Sequence, residues 1–516
     1  MPGISPRRFL LLIALLAAAA GVLRVTGLGF GFPYFFHPDE ATAIRRVLVM
    51  QRGDLNPHWF SMPSFYLYLL YFSRIPAEKF LPAGPQGLHL LGRIWAAALG
   101  TLTLFPVYAA GRRLYGRRCG LLAAVLLATV PLHVLLSHYA TVDVPATCMV
   151  AFSLWGAAAI LTGGGGGWYL AAGAAAGLAA GTKYNAGFVL LPVIAAHFLA
   201  PPAPGRPRRL VFALGAAAGV FLLSTPFLVG DLPVFWRDLA GQSAYLISKG
   251  HGPIFIDTSP GIAYQVFYNF YYAGGTGWWL LVVAGVTAAA IRRRRSDLVL
   301  LAFVVPYLVL ISIPTVKFIR FLLPLVPALC VAAGGVASSF PRNRRFGRVW
   351  TAAVLGVGAW MLLISAAYAR MLAGPDPREA ALEWMLKNLP AGADIGFIKT
   401  ETGLVYLDDP PLEPGDTRFR LRRYDRLIRA LAPGARPRYL VVTDFDYRQI
   451  LRLDELYDDK RCALWTSFLG EKEGYRLLRR FRATPALGPL VFGTGFPPHD
   501  LKYNRPEISV FIREKQ

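Results

Sequence analysis

Long apolar runs recur along most of the chain, and each is close to the roughly 20 residues that an α-helix needs to cross a bilayer. Eleven such runs can be drawn, near residues 8–28, 89–111, 119–137, 142–162, 168–182, 185–200, 209–229, 276–291, 297–315, 319–339 and 349–371. Hydrophobic residues make up 55% of the chain and charged residues only 16%, which is unusual for a soluble protein. The sequence therefore predicts a polytopic α-helical membrane protein with about 11 transmembrane helices.

The basic residues predict how these helices are oriented. Residues 1–373 hold 30 Lys and Arg but only 9 Asp and Glu, so most of the net charge of +24 belongs to the membrane part and does not indicate nucleic acid binding. Five clusters fall on one side of the eleven spans: Arg7-Arg8, Arg112 to Arg118, Arg206 to Arg209, Arg292 to Arg295 and Arg342 to Arg348. Because cytoplasmic loops carry the excess of Lys and Arg, that side and the N-terminus are predicted to be cytoplasmic.

Two segments could change this topology. The N-terminal run resembles a signal peptide, but no convincing cleavage site follows it, so a retained first helix is predicted. Segment 63–80 is apolar enough to be another span, but counting it as one would place Arg112 to Arg118 outside. It is therefore predicted to be a juxtamembrane helix in a first external loop at about 29–88. A further external loop follows at about 230–275.

Residues 374–516 have the composition of a soluble domain, and this topology places them outside the membrane on the extracytoplasmic side. Periodicity predicts helices at 376–388, 422–431, 447–457 and 473–480 and strands at 394–398, 438–444 and 508–513. The pattern favours a small α/β domain. Because no catalytic motif is visible in it, the domain is expected to position the acceptor or to cover a site that the membrane part, residues 1–373, forms.

The acidic residues of the membrane part gather at the predicted outer face, and Asp39 and Glu40 follow directly after the first span. Pro38 fits the first turn of a helix, so both carboxylates would lie beside the positive end of the helix dipole, which favours their ionised form. Asp39 could simply cap this helix. An ionised carboxylate can also act as a general base, which makes Asp39 and Glu40 candidate catalytic residues.

Four other outer-face residues are candidates for substrate binding. Asp143 begins a helix in the hairpin SHYATVDVPAT, where capping is the structural alternative. Lys183 ends the fifth span and could snorkel to the interface. Lys317 and Arg320 precede the tenth span, where anchoring to the outer leaflet would also explain them. Carboxylates and cations at one membrane depth on different helices nevertheless favour a common site.

A sugar linked to a polyprenyl phosphate would suit such a site, since the lipid lies in the bilayer and the phosphosugar at its outer surface. Because the phosphate leaves as a stable anion, the reaction needs cations rather than a general acid, in contrast to glycoside hydrolysis. One base would take the proton of an acceptor hydroxyl as this attacks the anomeric carbon and inverts its configuration. These residues favour an inverting sugar transferase.

The Asp-Glu pair, the Trp- and Pro-rich stretch after it, SHYATVDVPAT, TKYNAG and RFLLPLVPAL occur in this order over about residues 5–340. Together they resemble the integral-membrane glycosyltransferases of the protein O-mannosyltransferase and aminoarabinose transferase type, which are glycosyltransferase family 39-like and have the GT-C superfold. The resemblance implies that Asp39, with Glu40 beside it, is the catalytic base and that Asp143 helps shape the site. It further implies that Lys183, Lys317 and Arg320 hold the lipid phosphate.

The external loop 230–275 would cover the donor in enzymes of this type. His251 within it could hydrogen-bond phosphate or sugar, although a solvated loop histidine is the alternative. Tyr264 belongs to a tyrosine cluster that could form either a sugar platform or a membrane-interface belt. A divalent cation could be placed among Asp39, Glu40, His37 and His58, but their spacing does not impose one, so a metal cofactor stays open.

Other functions remain in competition with the transferase. A transporter or flippase for lipids or lipid-linked sugars would also place charges at Lys183 and Arg320, but the sequence shows neither repeated halves nor midplane polar residues. A non-catalytic lipid-binding or sensory protein would use the carboxylates only as helix caps. The high Arg and Ala content is typical of GC-rich bacteria, which favours undecaprenyl phosphate as carrier and the bacterial inner membrane as location. Neither the sugar nor the type of hydroxyl acceptor (protein, lipid or glycan) follows from the sequence.

Overall fold

The computed structural model describes residues 6–50, 54–202, 205–249, 254–339, 344–398, 418–453, 460–493 and 495–514. Most of the first 373 residues are helical. In chain order the helices are α1 (Pro6–Val25), α2 (Pro38–Val49), α3 (Phe65–Ala77), α4 (Gly84–Leu102), α5 (Leu104–Tyr115), α6 (Arg117–Thr129), α7 (Pro131–Leu136), α8 (Asp143–Leu161), α9 (Gly166–Thr182), α10 (Leu190–Leu199), α11 (Arg206–Ser224), α12 (Leu232–Ala244), α13 (Gly261–Ala263), α14 (Phe270–Arg292), α15 (Arg295–Ser312), α16 (Val326–Ala337) and α17 (Arg344–Leu372). Short 3-10 or π-helical segments are Tyr184–Val189, Pro226–Leu228, Tyr245–Lys249, Tyr264–Asn269 and Ile319–Leu325.

Within the described residues, seven helical stretches are long and apolar enough to cross a membrane: Gly84–Tyr115, Asp143–Leu161, Arg206–Ser224, Gly261–Arg292, Arg295–Ser312, Ile319–Ala337 and Gly347–Asn388. Leu11–Val25 and Tyr184–Leu199 are shorter apolar helices. This is the pattern of a multi-pass membrane protein, and the figure of eleven spans stays a prediction. The run 119–137 is divided into α6 and α7 at Pro131, because proline lacks the N–H that a continuous helix requires.

The segment predicted to be the first external loop contains two helices, as expected. Helix α2 begins at Pro38, so Asp39 and Glu40 occupy its first turn. The apolar segment 63–80 forms the short helix α3. Buried residues of α2, α3 and the start of α4 form one hydrophobic cluster, which includes Ile44, Val47, Tyr66, Leu67 and Leu88. This cluster fixes α2, and with it the two carboxylates, against the membrane helices.

A close approach between α4 and the hairpin before α8 also positions the first loop. A Cβ atom at Gly92 would lie 2.6 Å from the Cβ of Ala140 and 3.0 Å from the hydroxyl of Tyr66. Only glycine allows the two segments to come this close. The neighbouring Arg93 thereby reaches Glu40 in α2, and the hairpin leads into α8 at Asp143.

The residues after α17 form the C-terminal domain. Its helices are α18 (Pro377–Asn388), α19 (Leu427–Ala430), α20 (Asp444–Arg452) and α21 (Lys460–Leu469), and its strands are β1 (Ala393–Ile398), β2 (Phe419–Tyr424), β3 (Tyr439–Thr443), β4 (Tyr475–Phe481), β5 (Ala486–Leu487), β6 (Leu490–Val491) and β7 (Ile508–Arg513). In the described residues five strands form a mixed sheet of order β2-β1-β3-β7-β4, in which β1 is parallel to β2 and β3, and β7 is antiparallel to β3 and β4. A separate pair joins β5 and β6.

Helices cover both faces of the five-stranded sheet, as expected for an α/β domain. Val441 of β3 and Val510 of β7 are paired in register and pack against α18. Their neighbours Leu440 and Phe511 point to the other face and pack against α21. This alternation follows from the two-residue period of a strand.

Parts of the predicted secondary structure of this domain are wrong. Residues 473–480 were expected to be helical but lie largely in β4. Of the expected helix 422–431, residues 422–424 lie in β2 and only Leu427–Ala430 are helical, as α19. β2 and β4 are the edge strands of the sheet, so pairing with β1 and β7 outweighs the local helix propensity of residues 422–424 and 475–480. The predicted helix 447–457 begins already at Asp444, and residues 454–457 lie outside the described residues. The other predicted elements are confirmed to within a residue.

The C-terminal domain contacts the membrane part on its predicted outer side. Arg452 of α20 donates a hydrogen bond to the carbonyl oxygen of Ile256 at 2.7 Å. The hydroxyl of Tyr268 donates to the carbonyl oxygen of Phe496. A 3-10 segment, His499–Lys502, packs against the start of Ile319–Leu325, the segment that carries Arg320. The domain therefore borders the candidate residues directly.

Candidate active site

Asp39 and Arg320 form an ion pair between the first external loop and the segment before α16. The guanidinium Nη1 of Arg320 lies 3.0 Å from Oδ2 of Asp39. The Asp39 side chain is 40% exposed, whereas that of Arg320 is 15% exposed. Asp39 therefore borders open space while its ion-pair partner is largely enclosed by protein. This is the geometry that a carboxylate needs to reach a substrate.

Asp143 and Lys183 form a second ion pair close to the first. The Lys183 amine donates to Oδ1 of Asp143 at 2.6 Å, and both side chains are largely buried. The two cations lie near the same aromatic ring, since Lys183 is 5.3 Å and Arg320 is 5.8 Å from the ring centre of Phe321. Arg320 also acts electrostatically on Asp143. The structure thus brings four of the predicted site residues, Asp39, Asp143, Lys183 and Arg320, into one neighbourhood.

Glu40 points away from this neighbourhood into a buried ion pair with Arg93. Its carboxylate accepts hydrogen bonds from Nε and Nη2 of Arg93 at 2.8 and 2.9 Å and from the backbone N–H of Ala140 at 2.7 Å. Both side chains are 0% exposed. Burial alone would raise the pKa of Glu40, but the Arg93 guanidinium outweighs this and holds it below its usual range. With its oxygens occupied, Glu40 is placed to hold α2 in position rather than to reach a substrate.

Lys317 lies in a different environment from the other two cations. Its amine donates to Oγ1 of Thr258 at 2.8 Å and to the carbonyl oxygen of Ser259 at 3.0 Å. Among the described residues no carboxylate lies within ion-pair distance of it. The ring centre of Tyr264, another predicted substrate-binding residue, is 5.3 Å from the amine. Burial lowers the pKa of Lys317, and an anionic ligand would oppose that effect.

His37 lies next to the site. The sequence analysis had named it only as one of the residues that could surround a divalent cation. It immediately precedes α2 and is 3% exposed, and its ring centre lies 4.4 Å from that of Tyr139 and 5.3 Å from that of Tyr503. Burial lowers the pKa of His37, while the carboxylates of Asp39 and Glu40 oppose this shift. Its Nδ1 has no hydrogen-bond partner among the described residues.

Three residues near Arg320 were not identified from the sequence. Asp500 of the C-terminal domain accepts hydrogen bonds from the backbone N–H groups of Ile319 and Arg320 at 3.3 and 3.1 Å. Tyr503 and Tyr245, the latter in the segment 230–275, lie near Arg320. No motif marks these residues, because the contacts depend on how the C-terminal domain and the loop fold back onto the membrane part.

His58 is not brought to this site, and His251 lies outside the described residues. His58 is 61% exposed and its Nδ1 lies 3.1 Å from Oδ2 of Asp231, so it joins the first external loop to the segment before α12. It therefore does not share a cluster with His37 and Asp39. In the described ranges no group of three or more His, Cys, Asp or Glu residues could hold a metal ion.

Comparison with known proteins supports the resemblance seen in the sequence. The model of the dolichyl-phosphate-mannose-protein mannosyltransferase family matches residues 89–229, a stretch that includes Arg93, Asp143 and Lys183. No curated protein sequence matches the chain significantly.

Several solved structures share the fold. ArnT from Cupriavidus metallidurans in the apo state is similar with a TM-score of 0.51 and 16% identity, over 96% of this chain and 97% of ArnT. The Archaeoglobus fulgidus oligosaccharyltransferase tethered with an acceptor peptide has a TM-score of 0.53 and 14% identity, over 97% of this chain and 77% of that one. The oligosaccharyltransferase AglB from Archaeoglobus fulgidus, in complex with an inhibitory peptide and a dolichol-phosphate, has a TM-score of 0.50 and 14% identity, over 96% of this chain and 77% of that one.

These likenesses extend over nearly the whole chain, including the C-terminal domain. The chain is therefore a multi-pass membrane protein with the GT-C fold, the fold of the glycosyltransferases of the protein O-mannosyltransferase and aminoarabinose transferase type that its sequence resembles.

Proposed function

We propose that the protein is an inverting glycosyltransferase that moves a sugar from a polyprenyl-phosphate donor to a hydroxyl acceptor at the outer face of the membrane. The observation that carries the proposal is the pairing of a partly exposed Asp39 with the largely enclosed Arg320. A base and a cation side by side are what the transfer of a sugar from phosphate to a hydroxyl needs.

The distribution of charge supports a phosphate-containing donor. Lys317 is 9% exposed and has no carboxylate partner among the described residues, so a buried positive charge remains without a counter-ion. Arg320 follows three residues later. The amine of Lys317 contacts Thr258 in the segment 230–275, and the guanidinium of Arg320 contacts Asp39. A phosphate bound between Lys317 and Arg320 would supply the missing negative charge.

The reaction conserves atoms and charge without a redox partner. The carboxylate of Asp39 accepts the proton of the acceptor hydroxyl, whose oxygen forms a bond to the anomeric carbon of the sugar. The bond between that carbon and the phosphate oxygen breaks, and its electron pair stays on the phosphate. Arg320 and Lys317 stabilise the negative charge that develops there. In this scheme Asp143 keeps Lys183 in place beside Arg320, and Glu40 holds the helix that carries Asp39.

The carrier lipid and the location are finer parts of the same proposal. The composition of the sequence favours undecaprenyl phosphate in a bacterial inner membrane, with the N-terminus in the cytoplasm and residues 374–516 outside. The likeness to AglB, which was solved in complex with a dolichol-phosphate, is consistent with a polyprenyl carrier.

The proposal is tested by sugar transfer in purified protein, with lipid-linked sugars as donors and release of polyprenyl phosphate as the readout. Asp39→Asn should lower turnover by about 10²-fold or more while donor binding is kept, since an amide cannot accept the proton. Asp54→Asn is the matched control, because Asp54 lies in the same external loop but is 62% exposed and contacts His58. Equal turnover of Asp39→Asn and the wild type would refute the proposed base.

The same preparation separates the transferase from a flippase. A transferase releases polyprenyl phosphate in proportion to the sugar that reaches the acceptor. If the wild-type protein in vesicles moved the lipid-linked sugar between leaflets and released no polyprenyl phosphate, the transporter alternative would stand and the transferase would not.

A further inference from the structure

The C-terminal domain holds the backbone from which Arg320 projects. Both carboxylate oxygens of Asp500 accept a backbone hydrogen bond: Oδ1 accepts from Ile319 at 3.3 Å and Oδ2 accepts from Arg320 at 3.1 Å. These two residues begin the 3-10 segment Ile319–Leu325. The first N–H groups of such a segment have no partner within it, so an outside acceptor fixes where it starts.

The contact is buried and tightly packed. Asp500 is 5% exposed, and Ile319, whose amide it binds, is 0% exposed. On the chain before Asp500, His499 lies against Phe318 with ring centres 6.5 Å apart. Such surroundings leave little water to replace the carboxylate, so its loss would leave two backbone donors unsatisfied.

The side chain of Arg320 is then directed between groups from three parts of the protein. Asp39 belongs to the first external loop, Asp143 to the start of α8, and Asp500 to the C-terminal domain, and all three act electrostatically on Arg320. The backbone of Arg320 is held by one carboxylate and its guanidinium is paired with another. A small change in the backbone would therefore move the guanidinium relative to Asp39.

We propose that Asp500 is a positioning residue: through the amides of Ile319 and Arg320 it holds the Arg320 guanidinium beside Asp39, so that the C-terminal domain sets how tightly the lipid phosphate is bound. This inference deepens the proposed function and rests on it. It gives the C-terminal domain a part in phosphate recognition.

The test measures binding of undecaprenyl phosphate to the full-length purified protein. Asp500→Ala should weaken binding by about 10-fold to 100-fold, the range expected when charge-assisted hydrogen bonds are lost from a buried site. Asp500→Asn keeps one carbonyl acceptor and should fall between the wild type and Asp500→Ala. Unchanged binding in Asp500→Ala would overturn the proposal.

A double-mutant cycle separates positioning from a general loss of structure. If Asp500 acts through Arg320, Asp500→Ala should weaken binding much less in an Arg320→Gln background than in the wild type. Additive losses would mean that Asp500 acts on folding alone and would refute the positioning role. Asp446→Ala is the matched control, because Asp446 caps α20 within the C-terminal domain through the N–H of Thr443 at 2.7 Å. It should leave lipid binding unchanged.

Hydrogen exchange makes the result independent of the transferase proposal. The amides of Ile319 and Arg320 should exchange faster in Asp500→Ala than in the wild type and at the wild-type rate in Asp446→Ala. If exchange accelerates while lipid-phosphate binding stays as in the wild type, positioning is refuted. If the wild type binds the lipid phosphate in an Arg320-dependent way but transfers no sugar, the transferase proposal fails while the positioning of Arg320 is still measured.

Discussion

Replacing Glu40 by Gln should destabilise the protein, because Glu40 and Arg93 form a fully buried ion pair. The carboxylate accepts three hydrogen bonds, of which two come from Arg93. The amide of glutamine offers one carbonyl oxygen to these donors and turns its NH₂ group toward another donor. Breaking a buried pair while one charge remains typically costs about 3–5 kcal/mol. Thermal unfolding of the purified protein should therefore show a clear loss of stability in Glu40→Gln.

The size and the pH dependence of this effect can both be checked. Glu78→Gln is the control, since Glu78 pairs with Arg74 at the surface and is 59% exposed, where a pair contributes about 1 kcal/mol or less. Because the folded-state pKa of Glu40 is lowered, its contribution is present above the unfolded value of about 4.3 and is lost as the pH falls through the folded pKa. The stability difference between wild type and Glu40→Gln should therefore shrink in acid. Equal stability of Glu40→Gln and the wild type at neutral pH would refute the structural role of Glu40.

Further predictions concern the cations and the loop contact. Lys317→Gln should weaken undecaprenyl phosphate binding about 10-fold or more. In the wild type, binding should be strongest below the lowered pKa of Lys317 and should weaken as the pH rises through that pKa. Binding measured as a function of pH should show that this dependence is lost in the variant. Asp143→Asn should reduce both transfer and thermal stability, since it leaves Lys183 buried without its ion-pair partner, and wild-type values of both would contradict this. His58→Ala should leave turnover and melting temperature nearly unchanged, because the contact with Asp231 is exposed, and a large loss of turnover would show that His58 reaches the substrate.

Sequence patterns identified the membrane architecture and much of the first external loop. Pro38 indicated the start of α2, and the structure begins that helix there. Basic clusters on both sides predicted that the apolar segment 63–80 does not cross the membrane. The structure forms the short helix α3 there, and the place of this helix relative to the bilayer stays a prediction. Hydrophobic periodicity and charge are local or additive properties, so a single sequence is sufficient to recognise them.

The partners of the charged residues were harder to predict. Asp39 and Glu40 are neighbours in one helical turn, yet one is partly exposed beside Arg320 and the other is buried with Arg93. Adjacent helical residues point about 100° apart, so a helix packed against α4 must send them into different surroundings. Nothing in the pattern of α2 alone indicates which carboxylate faces Arg93, since that depends on the close approach of α4 at Gly92.

The C-terminal domain shows a similar limit. Strands β1, β3 and β7 were predictable because they are buried apolar runs in the centre of the sheet. The arginine-rich β4 was mistaken for a helix, because only its pairing with β7 makes it a strand. Asp500 could not be identified either, since its two hydrogen bonds join residues about 180 positions apart in the sequence.

A structure of the purified protein with undecaprenyl phosphate tests the central claim most directly. We predict that the phosphate lies between Arg320 and Lys317, with its oxygens within about 3.2 Å of the guanidinium and the amine, and that Asp39 faces the side on which an acceptor hydroxyl would approach. A phosphate bound elsewhere, with the Asp39 and Arg320 pair closed to it, would contradict the proposed site.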